Sequence, residues 1–221
     1  MKTFTELQEG VYDPNILKAF FMAGGPGSGK SYVVKRTTGG LGLKIVNSDD
    51  IFEKYLLDAI GTLDIREIDP EQRDRIRGRA KRVTAARQAN YIEGRLGLII
   101  DGTGKDFDKI KNQSTRLKQL GYDVHMIFVN TSLDTALAQN QKRPRKLPDS
   151  MVTQLWNDVQ KNIGKFSQLF RRNFIVVDNN MAGEDVFAQV FKQVMSLAKS
   201  KVQNPMGQKW IANAIAMKRR M

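Results

Sequence analysis

The stretch Gly24-Gly25-Pro26-Gly27-Ser28-Gly29-Lys30-Ser31 constrains the fold of this chain more than any other segment. It follows the apolar run Ala19-Phe20-Phe21-Met22-Ala23, which reads as a buried parallel strand, and precedes a helical pattern ending before Gly39-Gly40. Glycines at this spacing let the backbone curl until successive N–H groups converge. The N-terminus of the next helix adds its partial positive charge at the same point. Between a strand and a helix, such a loop is a phosphate-binding device. Gly25, Pro26, Gly27, Ser28, Gly29 and Lys30 are expected to cradle ATP, with Lys30 reaching the β- and γ-phosphates and Ser31 ligating Mg²⁺.

The rest of the chain repeats the alternation of strand and helix. Leu43 to Val46, Leu96 to Ile100, Val124 to Val129 and Phe174 to Val177 read as further strands. Helical patterns follow Asn47-Ser48-Asp49-Asp50 as far as Ile60, run through Ile76, Val83, Ala86 and Tyr91, and cover Phe107 to Leu120, Ser132 to Gln141, Pro148 to Ile163 and Glu184 to Lys199. Gly61 to Gln72, interrupted by Pro70, reads as a loop or insertion. The expected class is α/β: a three-layer fold with a parallel sheet of about five strands and helices on both faces. Residues 11–200 form the expected domain, 142–148 a basic lid, and 201–221 a basic tail. In that tail Trp210, Ile211, Ala214 and Ile215 recur at helical spacing, and docking onto the domain is the simplest role for them.

Composition narrows the chemistry. The 221 residues include no Cys and a single His, His125, which excludes thiol nucleophiles, thiolate zinc sites and His-built metal centres. Reaction groups must come from carboxylates, Lys and Arg, hydroxyls, backbone amides and a hard cation. The net charge of +13 points to a polyanionic partner, nucleic acid among them. Six basic residues (Arg73, Arg75, Arg77, Arg79, Lys81 and Arg82) stand beside only Glu71 and Asp74, and seven more follow Val186 with no acid. No apolar stretch approaches the roughly 20 residues needed to span a bilayer, and no signal-peptide pattern opens the chain, so a soluble protein is expected.

Three acidic positions fall where strands end. Asp49 and Asp50 follow the second strand, where a carboxylate can accept a proton from an attacking hydroxyl; capping the next helix is the plainer use. Asp101 closes Leu98-Ile99-Ile100 in the manner of a second acid near Mg²⁺, and Gly102 and Gly104 around Thr103 allow a substrate close approach. Asp49 is the preferred catalytic carboxylate, with Asp50, Asp101 and Thr103 facing the acceptor and Asp101 joining Ser31 at the metal. Arg143 and Arg145, separated by Pro144, suit a segment that folds over ATP and offsets charge on the transferring phosphoryl group.

These residues resemble two related groups of P-loop kinases over roughly residues 19 to 180. The phosphate loop, the Asn47-Ser48-Asp49-Asp50 segment and the Arg143/Arg145 lid resemble the kinase domain of phage polynucleotide 5′-hydroxyl kinases. Ile99-Ile100-Asp101-Gly102-Thr103-Gly104-Lys105 is more similar to the zeta-toxin kinases. The resemblance implies ATP-Mg²⁺ at Lys30 and Ser31, Asp49 as the base and a lid Arg on the phosphates. Polynucleotide kinases carry an Arg soon after the Asp pair, where this chain has Phe52 and Glu53. With the charge of +13, the expected acceptor is a polynucleotide 5′-hydroxyl, ahead of a nucleotide sugar or other small molecule. A nucleic-acid-binding virion protein with a residual nucleotide site is the non-enzymatic alternative. Residues 1–10 resemble the capsid-targeting peptides of large contractile-tailed phages, which implies packaging in a virion and cleavage after Glu9.

Overall fold

The computed structural model describes residues 11–63, 68–143, 146–180 and 183–219. The expected cleavage point after Glu9 lies outside the described residues, as do Arg145 and Arg220. Five parallel strands form one sheet: β1 (Lys18–Ala23), β2 (Lys44–Val46), β3 (Leu98–Asp101), β4 (Asp123–Asn130) and β5 (Phe174–Asp178), in the spatial order β2-β3-β1-β4-β5. This is the expected parallel α/β architecture. The central position of β1 follows from its composition, since all six residues are buried.

Alternation along β1 assigns the two layers. Phe20 and Met22 enter one core with Val33 and Val34 of α1 (Lys30–Thr38) and with Phe187, Val190 and Val194 of α8 (Glu184–Lys199). Ala19, Phe21 and Ala23 enter the other. There they meet Ile110 and Leu117 of α4 (Phe107–Gln119), Val159 of α6 (Asp149–Gln160) and Phe166 and Phe170 of α7 (Ile163–Phe170). The remaining connections are α2 (Ser48–Ile60), α3 (Pro70–Glu93) and α5 (Leu133–Gln141). Together α2 and α3 enclose a small core of their own, Phe52, Leu56, Ile68 and Ala80.

Two expectations about local structure change. Pro70 does not interrupt a loop: Asp69 caps α3 by accepting from the Gln72 N–H at 2.8 Å, and Pro70 opens the first turn, where a missing N–H costs nothing. The expected helix over Pro148 to Ile163 ends at Gln160, and α7 follows as a separate helix after Asn162. The tail forms α9 (Pro205–Lys218), with Trp210, Ile211, Ala214 and Ile215 packed on the core that holds Phe21. No helix among the described residues is long and apolar enough to cross a membrane.

Candidate active site at the phosphate loop

The loop after β1 is shaped by what lies beneath it as well as by what it can hold above. Gly27 has a φ of 73°, and a Cβ there would stand 2.1 Å from the Ala136 carbonyl oxygen of α5. Gly29, at φ 81°, caps α1 with no side-chain hydrogen bond, and no acidic residue occupies the first turn. The amides at this helix start are therefore left to an external acceptor, which suits an anion. Asn179, just past β5, donates from Nδ2 to the Ser28 carbonyl at 2.9 Å and pins the loop from the side.

Lys30 folds back over the loop, its Nζ donating to the carbonyls of Gly24 at 2.7 Å and Gly25 at 3.2 Å. Burial holds its pKa below the usual lysine value. The Asp101 and Asp49 carboxylates oppose that shift, and the Arg143 cation adds to it. Lys30, Asp49, Asp101 and Arg143 thus share one electrostatic neighbourhood. Ser31, in the first turn of α1, lines a cleft with Asn47, Asp50 and Asp101.

The acidic residues are organised by Asn47. Its Oδ1 accepts from the Asp49 N–H at 2.8 Å, which makes it the cap of α2 in place of Asp49 or Asp50. Its Nδ2 donates to Asp101 Oδ2 at 3.1 Å and to Asp50 Oδ1 at 2.9 Å. Asp101 is not a cap either, since α4 is capped by Asp106, whose Oδ1 accepts from the Lys109 N–H at 2.9 Å. Burial raises the Asp101 pKa, the Lys30 cation lowers it, Asp49 and Asp50 raise it again, and a hydrogen bond from the Gly102 backbone lowers it. Asp101 Oδ1 is buried with no hydrogen-bond partner. Asp50 is raised first by burial, then by Glu53 and Asp49. Asp49 accepts from Arg77 Nη1 at 2.6 Å, a pairing across α2 and α3 that the sequence did not announce.

A second cleft, of about 420 Å³, opens on the other side of Asp101. Phe21, Met22, Val46 and Ile100 contribute to its lining from the sheet, and residues of α3 and α4 contribute from either side. Lys81, Lys105 and Lys109 line it, together with Asp106 and the Gly102-Thr103-Gly104 loop. That loop is tied to the phosphate loop, since the Gly24 N–H donates to the Thr103 carbonyl at 3.0 Å. Asn162, buried at the break between α6 and α7, donates to the carbonyls of Gly104 at 3.1 Å and Lys105 at 2.9 Å. Earlier in α6, Trp156 packs on Gly25 and donates to the Thr131 carbonyl at 2.8 Å, and Gln160 donates to Asn130 Oδ1 at 2.8 Å.

Residues 6–189 match the family model described as zeta toxin. The chain belongs to the zeta toxin family of P-loop kinases. The fold is also that of several solved structures. The PezAT toxin–antitoxin system of Streptococcus pneumoniae matches with a TM-score of 0.52 at 17% identity, over 86% of each chain. The Pnkp1/Rnl/Hen1 RNA repair complex matches with a TM-score of 0.53 at 17% identity, over 74% of this chain and 49% of that one. AvrRxo1-ORF1 with AvrRxo1-ORF2 and ATP matches with a TM-score of 0.56 at 12% identity, over 81% of this chain and 64% of that one. No curated protein sequence matches the chain.

Proposed function

We propose that this family member transfers the γ-phosphate of ATP to a hydroxyl of a small, phosphate-bearing acceptor, with a nucleotide sugar as the leading class. One observation carries the reading: the cleft beside Asp101 is bounded by two helices, is lined in part by apolar residues and carries Lys81, Lys105 and Lys109. A ring or sugar suits the apolar part of the lining, and the lysines suit acceptor phosphates. The phosphate loop and Lys30 hold the ATP phosphates, and the charges of Arg143 and Arg145 offset theirs. Ser31 and the unpartnered Oδ1 of Asp101 fit a hard cation, with the remaining ligands supplied by phosphate oxygens and water. When bound, Mg²⁺ offsets charge on the phosphates.

Transfer is an in-line displacement. The acceptor O–H bond breaks, its proton passes to the Asp49 carboxylate, the oxygen bonds to the γ-phosphorus, and the bond to the β,γ-bridging oxygen breaks to release ADP. A polynucleotide 5′-hydroxyl is the second reading, favoured by the net charge of +13 and the arginine-rich α3. Label transfer from γ-labelled ATP to UDP-sugars and to 5′-hydroxyl oligonucleotides tests both. Labelled sugar with unlabelled oligonucleotide supports the first reading, the reverse supports the second, and label in neither overturns the kinase assignment.

A further inference from the structure

Arg77 lies 28 residues from Asp49, yet the two side chains meet in an ion pair. The guanidinium is held on two sides. Nη1 donates to Asp49 Oδ1 at 2.6 Å, and Cζ sits 4.6 Å from the centroid of the Phe52 ring. Asp49 and Phe52 are three apart on α2 and so share a face, which Arg77 covers from α3. Phe52 is buried in the small α2–α3 core, so the platform under the guanidinium is fixed. One turn further along α3 is Lys81, which lines the acceptor cleft.

The surroundings are rich in negative charge. Asp49 raises the cost of charge on both Asp50 and Asp101, and Asp50 adds to it at Asp101. Asn47 holds Asp50 and Asp101 by hydrogen bonds from its amide, whereas at Asp49 it accepts from the backbone N–H. The Asp49 carboxylate takes its charged partner from α3 instead.

We propose that Arg77 is a positioning residue for phosphoryl transfer, clamping the Asp49 carboxylate against α2 so that it meets the acceptor hydroxyl in one orientation. This rests on Asp49 being the base, and the test separates the two ideas. Arg77→Met, Arg77→Lys, Asp49→Asn and the Arg77→Met/Asp49→Asn double variant are assayed by γ-label transfer to UDP-sugars, to 5′-hydroxyl oligonucleotides and to water. Binding of a non-hydrolysable ATP analogue is measured alongside.

Arg77→Met is expected to lower kcat on the order of ten- to a hundredfold with nucleotide affinity unchanged, because misplacing a reacting group acts on the transition state. Arg77→Lys is expected to recover part of the loss. In the Asp49→Asn background, Arg77→Met is expected to have no further effect, since the group it positions is gone. Full kcat in Arg77→Met, or losses that simply multiply in the double variant, would overturn the inference and leave Asp49 as the base. Full kcat in Asp49→Asn, or no turnover of the unaltered protein with any acceptor, would overturn the base assignment and this inference with it. Both partners are partly exposed, so loss of the pair is not expected to unfold the chain, and circular dichroism of each variant checks this.

Discussion

Lys18 and Asp123 face each other as the first rung of the β1–β4 pair, and their side chains form a 2.8 Å ion pair. Lys18 is fully buried, with 1% of its side chain exposed, so its ammonium depends on that carboxylate and on the Ser200 hydroxyl, which accepts at 2.9 Å. Asp123 also accepts from the backbone N–H groups of Gln203 and Asn204 at 2.8 and 2.9 Å, which fastens the approach to α9. Removing one partner of a buried pair leaves an uncompensated charge, at a cost of about 3–5 kcal/mol. Asp123→Asn is therefore expected to lower the urea midpoint strongly. Lys18→Met should cost less, because Asp123 keeps its two backbone donors. Equal losses in the two variants would show that those donors contribute little.

Lys30→Ala removes the cation that bridges the loop carbonyls and should stop transfer. Lys30 is held by burial and by acceptors that water can satisfy after truncation, so the fold should survive. Transfer retained within tenfold would mean that the phosphates are held elsewhere.

Asp101→Asn tests the division of labour between carboxylates. It keeps the shape at Asn47 while removing the charge that faces Lys30. The expected signature is a higher Mg²⁺ requirement, read from the metal dependence of turnover. Asp49→Asn should instead slow turnover about a hundredfold or more at saturating Mg²⁺. If the two signatures are exchanged, so are the two roles.

His125 predicts how stability depends on pH. Its ring stacks on Phe20 at 4.9 Å between centroids, and neither ring nitrogen has a partner. Burial, reinforced by the Lys18 cation and opposed by Asp123, lowers its pKa from 6.5 to about 4. Between those values the unfolded chain binds the proton and the folded chain does not. Stability is thus fully present above pH 6.5 and falls as the pH drops toward 4, by about 3 kcal/mol at most. His125→Phe should remove this acid limb in urea titrations across pH 4 to 7, and an unchanged slope would assign the limb to other groups.

The sheet and the phosphate loop were legible because each rests on local pattern. An apolar run before a glycine cluster admits few structures, and Asp101 follows the same logic at the end of β3. What stayed hidden depends on distant partners. Nothing near Arg77 marks it out from Arg73, Arg75 or Arg79, and only the crossing of α2 and α3 selects it for Asp49. Asn162 reads as an ordinary polar residue until Gly104 and Lys105 are brought above it. Helix α7 escapes the sequence pattern although Phe166 and Phe170 have helical spacing, because Gly164 and Asn162 weaken that pattern and burial of the two phenyl rings decides the outcome.

The span from Trp156 to Asn162 acts as a ruler. Trp156 rests on the phosphate loop at Gly25, and Asn162 holds the loop at Gly104; the helical part between them, Trp156 to Gln160, rises about 6 Å before the break. Because each helical residue also turns the chain by about 100°, one residue inserted into that span would swing Asn162 away from its two carbonyls as well as lengthen the gap. The phosphate loop and the loop at Gly104 are thus kept apart by one short span of chain, and a one-residue insertion there would break the contact at one end.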